Sequence, residues 1–173
     1  KFSSLVSQLK AEQSSINSEI VDLEKKLRKK FGGTDNKLDA LGDADFIWPT
    51  VSHTIFAYFH DPDYPFRYIF EHPAIDLKSS QGSPVKAAAN GYVATAKNAG
   101  MGYNYVMIIH GDGFSTVYGH LVKILVKPDE FVSAGDTIGL SGGMPGTPGA
   151  GRLSTGPHLH FEIRKDGTWT DPG

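Results

Sequence analysis

The sequence predicts a mainly β domain of antiparallel hairpins, preceded by one long N-terminal α-helix. Three observations carry this expectation. Between Thr54 and Arg164, short β-favouring runs alternate with turn signals, and no helix-period pattern interrupts them. The first 31 residues contain neither glycine nor proline and repeat apolar residues at heptad spacing. From His158 to Arg164 the chain alternates strictly: His158, His160 and Glu162 point one way, and Leu159, Phe161 and Ile163 the other, which is the period of a strand.

The helix is expected over residues 2–31. Phe2, Leu9, Ile16 and Leu23 fall on one heptad position and Val6, Ile20 and Leu27 on another, with Gln13 the polar exception. Lys25, Lys26, Arg28, Lys29 and Lys30 crowd its C-terminal end, where the helix dipole favours cations, and they read as a solvated face. Gly32-Gly33 stop it. Such a rod is about 45 Å long. It either lies on its own domain or forms the end of a coiled coil. The narrow apolar stripe favours the coiled coil, which would self-associate or bind a partner protein through residues 1–31.

Residues 32–46 are a polar linker, with one short helical turn expected at Lys37–Leu41. The β domain follows over residues 47–173. Its strands are expected at Thr54–Phe59, Val85–Ala88, Tyr92–Ala96, Tyr105–His110, Phe114–Tyr118, Thr137–Leu140 and His158–Arg164. Gly111-Asp112-Gly113 is the turn of a hairpin. Residues 141–157 are rich in glycine and proline and lead into the His158 strand, which suggests one wall of a substrate groove.

Composition excludes several function classes. Residues 1–31 carry a net charge of +3 and the remainder −5, so the larger part has no basic stripe for nucleic acid. No run of about 18 apolar residues exists to span a membrane. Because the chain starts at Lys1, a processed form is expected, with a membrane link only through a missing N-terminal region. There is no cysteine, which leaves any metal to histidine and carboxylate.

Those ligand types cluster. His158 and His160 stand side by side on one strand face. In Glu71-His72-Pro73-Ala74-Ile75-Asp76, Pro73 biases His72 towards an extended backbone, so His72 is expected on a loop entering a strand that carries Asp76. His72, Asp76 and one of His158 and His160 would make a His₂Asp zinc site with one position open, the arrangement of a catalytic zinc. The residues alone do not say which of the two histidines is the ligand. Glu162 shares their face and would hold a ligand imidazole in its tautomer. A third cluster, Thr116-Val117-Tyr118-Gly119-His120-Leu121, places His120 at a strand end. His110 and Tyr118 read as structural, and His60 with Asp61 and Asp63 is a weak candidate for a surface cation site.

Together these segments resemble the lysostaphin/LytM family of zinc metallo-endopeptidases, which cut peptides in peptidoglycan. The resemblance runs from about Trp48 to Asp166 in five ordered blocks: His72–Asp76, Gly82–Gly91, His110–Leu121, Val132–Gly139 and Ser154–Glu162. It implies a duplicated-hybrid-motif-like β fold, one zinc per chain held by His72, Asp76 and His160, and catalytic roles for His120 and His158. His158 would be the general base, because no carboxylate is placed for that role. It also implies peptidoglycan peptides as substrate and a site of action outside the cytoplasm. The sequence departs from the family at Ala74, where glycine is usual, in the long loop before Ser154, and in the aromatic run at residues 60–68. Two alternatives stand beside the enzyme: a coiled-coil regulator of other hydrolases, and an autoinhibited peptidase.

Overall fold

The computed structural model describes residues 2–31, 45–57, 74–101, 103–150, 156–165 and 168–170. Helix α1 spans Phe2–Phe31. Eleven strands follow: β1 (Ile55–Ala57), β2 (Ile75–Lys78), β3 (Pro84–Lys86), β4 (Gly91–Lys97), β5 (Tyr105–Ile109), β6 (Phe114–Gly119), β7 (Leu121–Ile124), β8 (Phe131–Val132), β9 (Thr137–Ser141), β10 (His158–Lys165) and β11 (Thr168–Thr170). Residues 32–44 of the linker predicted at 32–46, and the segment carrying His60, Asp61, Asp63 and His72, lie outside the described residues.

All described pairings are antiparallel, as the run of hairpins predicts. One large sheet runs β1-β2-β10-β6-β5-β4-β8, with β11 beside the far end of β10; a small sheet runs β3-β9-β7. The β5–β6 hairpin turns through Asp112 (φ 58°) and Gly113 (φ 79°), both left-handed. Asp-Gly tolerates that conformation, which suits the twist of the flanking strands.

Alternation sorts the large sheet into two faces. Ile75, Leu77, Val93, Val106, Ile108, Tyr118, Leu159, Phe161 and Ile163 face the small sheet and close the main core with Val85, Leu121 and Ile138. The opposite face has a second, smaller core: Tyr92, Ala94, Tyr105, Met107, Ile109 and Val117 pack with Ile20 and Leu27 of α1, and Ile16 and Leu23 rest against them.

Of the two readings of the helix, the described side chains fit the one that lays it on its own domain. The described part of the heptad stripe faces the chain's own sheet rather than a partner helix. A stripe of Ile16, Ile20, Leu23 and Leu27 suits either surface, and polar anchors decide between them. Glu24, 2% exposed, meets Arg164 Nε of β10 at 3.2 Å and Arg28 Nε at 3.4 Å. Arg28 also donates to the Phe114 carbonyl at 2.8 Å, so this member of the basic cluster docks instead of being solvated. Glu19 bridges Lys97 Nζ (2.8 Å) and the Tyr105 hydroxyl (3.0 Å). These anchors fix the helix on the sheet face that also carries Asp76 and the β10 histidines.

Candidate active site

Strand β10 is the centre of the site. His158, His160, Glu162 and Arg164 share its non-core face because Leu159, Phe161 and Ile163 are committed to the core. Register brings Asp76 to the same place, since His160 pairs with Asp76 of β2 on one side and with Gly119 of β6 on the other. Asp76 Oδ1 lies 3.5 Å from His160 Nδ1 and 3.8 Å from His158 Nε2.

His120 arrives by a different route. It sits between β6 in the large sheet and β7 in the small one, at φ 62°, a left-handed backbone that is uncommon for a non-glycine residue. Backbone strain of this kind collects at functional sites. The crossing turns the His120 ring towards β10. Its centroid lies 4.7 Å from that of His158 and 6.0 Å from that of His160. The structure therefore gathers four of the five predicted site residues, Asp76, His120, His158 and His160. The fifth, His72, lies outside the described residues, two positions before Ala74, which is fully buried at the entrance to β2.

Backbone and carboxylate acceptors set each imidazole's tautomer. His120 Nδ1 donates to the Gly149 carbonyl at 3.2 Å. His158 Nδ1 donates to the Gly156 carbonyl at 2.8 Å. Both rings are left with a lone pair on Nε2. His160 is reversed: its Nε2 meets Glu162 Oε2 at 3.1 Å, so Nδ1 is the atom facing Asp76. The sequence-based expectation that Glu162 steadies a neighbouring imidazole thus corresponds to a direct contact.

An imidazole lone pair and a carboxylate oxygen facing each other need a cation or a proton between them. Burial works against a charge on His160, yet Asp76 and Glu162 together raise its pKa to about 10. A divalent metal held between them would satisfy both groups in place of a proton. A nitrogen and carboxylate donor set of this kind suits zinc. Among the described residues no three metal-binding side chains form a closed group, and His72 is the predicted third. His120 moves the other way. Burial, then the neighbouring His158 and His160, push it down to about 3, leaving a neutral ring whose Nε2 lone pair accepts a hydrogen bond rather than a proton.

The glycine-rich loop closes one side. Its ends are buried and bonded: His158 N–H donates to the Gly142 carbonyl at 3.1 Å, and Gly149 N–H to the Gly100 carbonyl at 2.8 Å. Gly149 has φ 81°, and a Cβ there would collide with the Leu121 backbone, so only glycine brings its carbonyl to His120. The loop thus touches both predicted catalytic histidines, consistent with the wall expected from the sequence. Residues 151–155 lie outside the described residues.

Other candidates fall away from the site. His110 is fully buried, with Nδ1 on the Asn90 carbonyl and Nε2 on Thr116 Oγ1, both at 2.7 Å. Tyr118 accepts the Ala88 N–H at 2.9 Å. Both support the fold, as expected. His53 is exposed and stacks on Trp48 with centroids 4.6 Å apart. One residue at the site escaped the sequence reading. Tyr103, in the segment before β5, sets its ring edge-on to His120 at 5.1 Å and to His160 at 6.0 Å. No motif marks it, because it reaches the site from a loop, bridged to Ala150 and lying over Gly119.

Comparison with known proteins identifies the family. The sequence model of Peptidase family M23 matches residues 70–172, more than half of the chain. Peptidoglycan DD-endopeptidase ShyA of Vibrio cholerae serotype O1 is 44% identical over 97 residues, covering 56% of this chain and 21% of that protein. DD-carboxypeptidase/endopeptidase Mpg of Neisseria meningitidis serogroup B is 42% identical over 102 residues, covering 58% and 22%. The chain thus spans about a fifth of the length of these relatives. Among solved structures, a zinc containing peptidase from Vibrio cholerae superposes with a TM-score of 0.63 at 32% identity, over 75% of this chain and 39% of that one.

Proposed function

The chain belongs to peptidase family M23, and from that membership we propose that it is a zinc-dependent endopeptidase hydrolysing peptide cross-links of bacterial peptidoglycan. Asp76 and His160, with His72, hold the zinc; His120 and His158 carry the proton chemistry. The observation that supports this most directly is the opposition of Asp76 Oδ1 and His160 Nδ1 at 3.5 Å, with two further imidazoles turned towards the same place. A bound zinc supplies Lewis-acid polarisation of the scissile carbonyl and a water of lowered pKa.

The chain's own residues supply the rest. His158, its Nδ1–H committed to Gly156, takes the proton of the attacking water on Nε2 and returns it to the leaving amine. His120, its Nδ1–H committed to Gly149, accepts a hydrogen bond from that water on Nε2 and aims it at the carbonyl. Glu162 holds His160 with Nδ1 towards the metal. The 142–150 loop walls that side of the site, its Gly149 carbonyl holding His120 and its Gly142 carbonyl the backbone of His158.

The names of ShyA and Mpg support a D-amino-acid cross-link, rather than a glycine bridge, as the bond cut. Such a substrate places the site of action in the periplasm or at the cell surface. The test is elemental analysis of chelator-free protein together with digestion of purified peptidoglycan and mass measurement of the products. About one zinc per chain and new termini at the D-amino-acid cross-link are expected. No uptake of zinc after add-back, with peptidoglycan left intact, would sink the reading.

A further inference from the structure

A row of residues crosses the large sheet on the site's face: Asp76, His160, Gly119, Tyr105 and Lys97, each paired with the next across a ladder. Gly119 brings no side chain to that row. The ring of Tyr103 fills the gap, since a Cβ on Gly119 would collide with the Tyr103 hydroxyl. One side of the ring stacks on Tyr105, centroids 5.6 Å apart and 28° between planes. Its other contacts are edge-on, to His120 at 86° and to His160 at 85°. Tyr103 is thus wedged between the helix-side core and two imidazoles of the site.

The backbone holds the wedge from both sides. Tyr103 forms a β-bridge with Ala150, next to the Gly149 carbonyl that binds His120. Its neighbour Asn104 takes the Leu121 N–H on its carbonyl at 3.3 Å and donates from Nδ2 to the Leu121 carbonyl at 3.1 Å. The residues flanking Tyr103 and the residues flanking His120 are therefore tied to each other directly.

We propose that Tyr103 is a positioning residue for the hydrolytic site: its ring occupies the space over Gly119 and fixes the imidazoles of His120 and His160 in their working orientation. This rests on the peptidase reading above and adds a residue to it. The role belongs to the ring, because its contacts with both histidines are ring contacts. His120 has most need of it. Its backbone is left-handed and its Nδ1–H···O bond to Gly149 is long at 3.2 Å, so without the wedge the imidazole rotates and exchanges Gly149 for water. A misplacement on the order of 1 Å costs up to about 10²-fold in rate.

The test compares Tyr103→Phe with Tyr103→Ala in the zinc-loaded chain, reading kcat, KM and zinc content. It also reads the tautomer of His120 from ¹⁵N-histidine NMR. The wild type and Tyr103→Phe are expected to share one kcat and a His120 locked with its proton on Nδ1. Tyr103→Ala is expected to lose at least about tenfold in kcat with KM little changed, to keep its zinc, and to show an averaged His120 tautomer. Should the alanine variant fail to fold, Tyr103→Leu restores apolar volume without a flat ring and is read in the same way. A wild-type kcat and a locked His120 in the alanine or leucine variant would overturn the proposal, as would a phenylalanine variant as impaired as alanine. If the wild type neither binds zinc nor cleaves peptidoglycan, the peptidase reading fails, while the tautomer comparison still decides the role of Tyr103.

Discussion

Asp76 and His160 face each other across the β2–β10 ladder, with Oδ1 and Nδ1 3.5 Å apart. Neither can be replaced without leaving the other's charge or lone pair unmatched. His160→Ala and Asp76→Ala are expected to lose zinc and hydrolysis together. His120→Ala is expected to keep zinc while losing about 10²–10⁴-fold in kcat, the range for a positioned acid–base group. Elemental analysis beside a turnover assay separates the two classes. Full activity in the His160 variant would remove that residue from the metal site.

Glu162 acts at one remove. Its Oε2 lies 3.1 Å from His160 Nε2, which leaves Nδ1 to face Asp76. Glu162→Gln keeps the shape but replaces the charge with an amide that can turn its N–H₂ towards the ring. Zinc affinity is expected to fall about 10–100-fold, the usual cost of losing such a partner, with the melting profile of the metal-free protein little changed. A competition titration against a chelating dye measures it. Unchanged affinity would mean that Glu162 does not set the orientation of His160.

These two relationships mark how far the sequence could be read. Alternation in His158–Arg164 gives the strand and its two faces, and the His-x-His pair follows from it. The β4–β5 and β5–β6 hairpins follow from their runs and from Asp112-Gly113. Register does not follow, because pairing His160 with both Asp76 and Gly119 depends on where three distant strands align. Tyr103 is invisible because only a loop bridge to Ala150 and the bare backbone of Gly119 bring its ring to the site. The helix shows a different limit: Ile16, Ile20, Leu23 and Leu27 would serve a coiled coil equally well, and the polar anchors, Glu24 meeting Arg164 140 residues away among them, favour the sheet. Strands β7, β8 and β11 are too short for periodicity to show, at four, two and three residues.

His110 makes stability depend on pH. Burial lowers its pKa to about 4, opposed by the Asn90 carbonyl and assisted by Arg28. The unfolded chain takes up this proton near pH 6.5 and the folded chain only near 4. Stability from this group is therefore complete above about pH 6.5 and is lost as pH falls towards 4. The loss reaches up to about 3 kcal/mol. Urea unfolding from pH 7.5 down to 4 is expected to show that decline, and His110→Gln to make it shallower, with His120 supplying a share of its own, at the cost of some stability at neutral pH. An unaltered slope in the variant would assign the acid limb to other groups.

The docking of α1 rests on a buried ion pair whose partners are not equivalent to neutral side chains. The side chains of Glu24 and Arg164 are each 2% exposed and meet at 3.2 Å. Removing one partner of such a pair costs about 3–5 kcal/mol, whereas replacing both by apolar groups is often close to neutral. Glu24→Leu and Arg164→Met are each expected to lower unfolding free energy by about that amount. The double variant is expected to recover much of it, because no charge then remains to be buried. Urea denaturation of the four proteins closes the cycle, and the coupling is the quantity that decides. Losses that simply add would mean the pair does not hold the helix, leaving Ile20 and Leu27 as its anchors on the sheet.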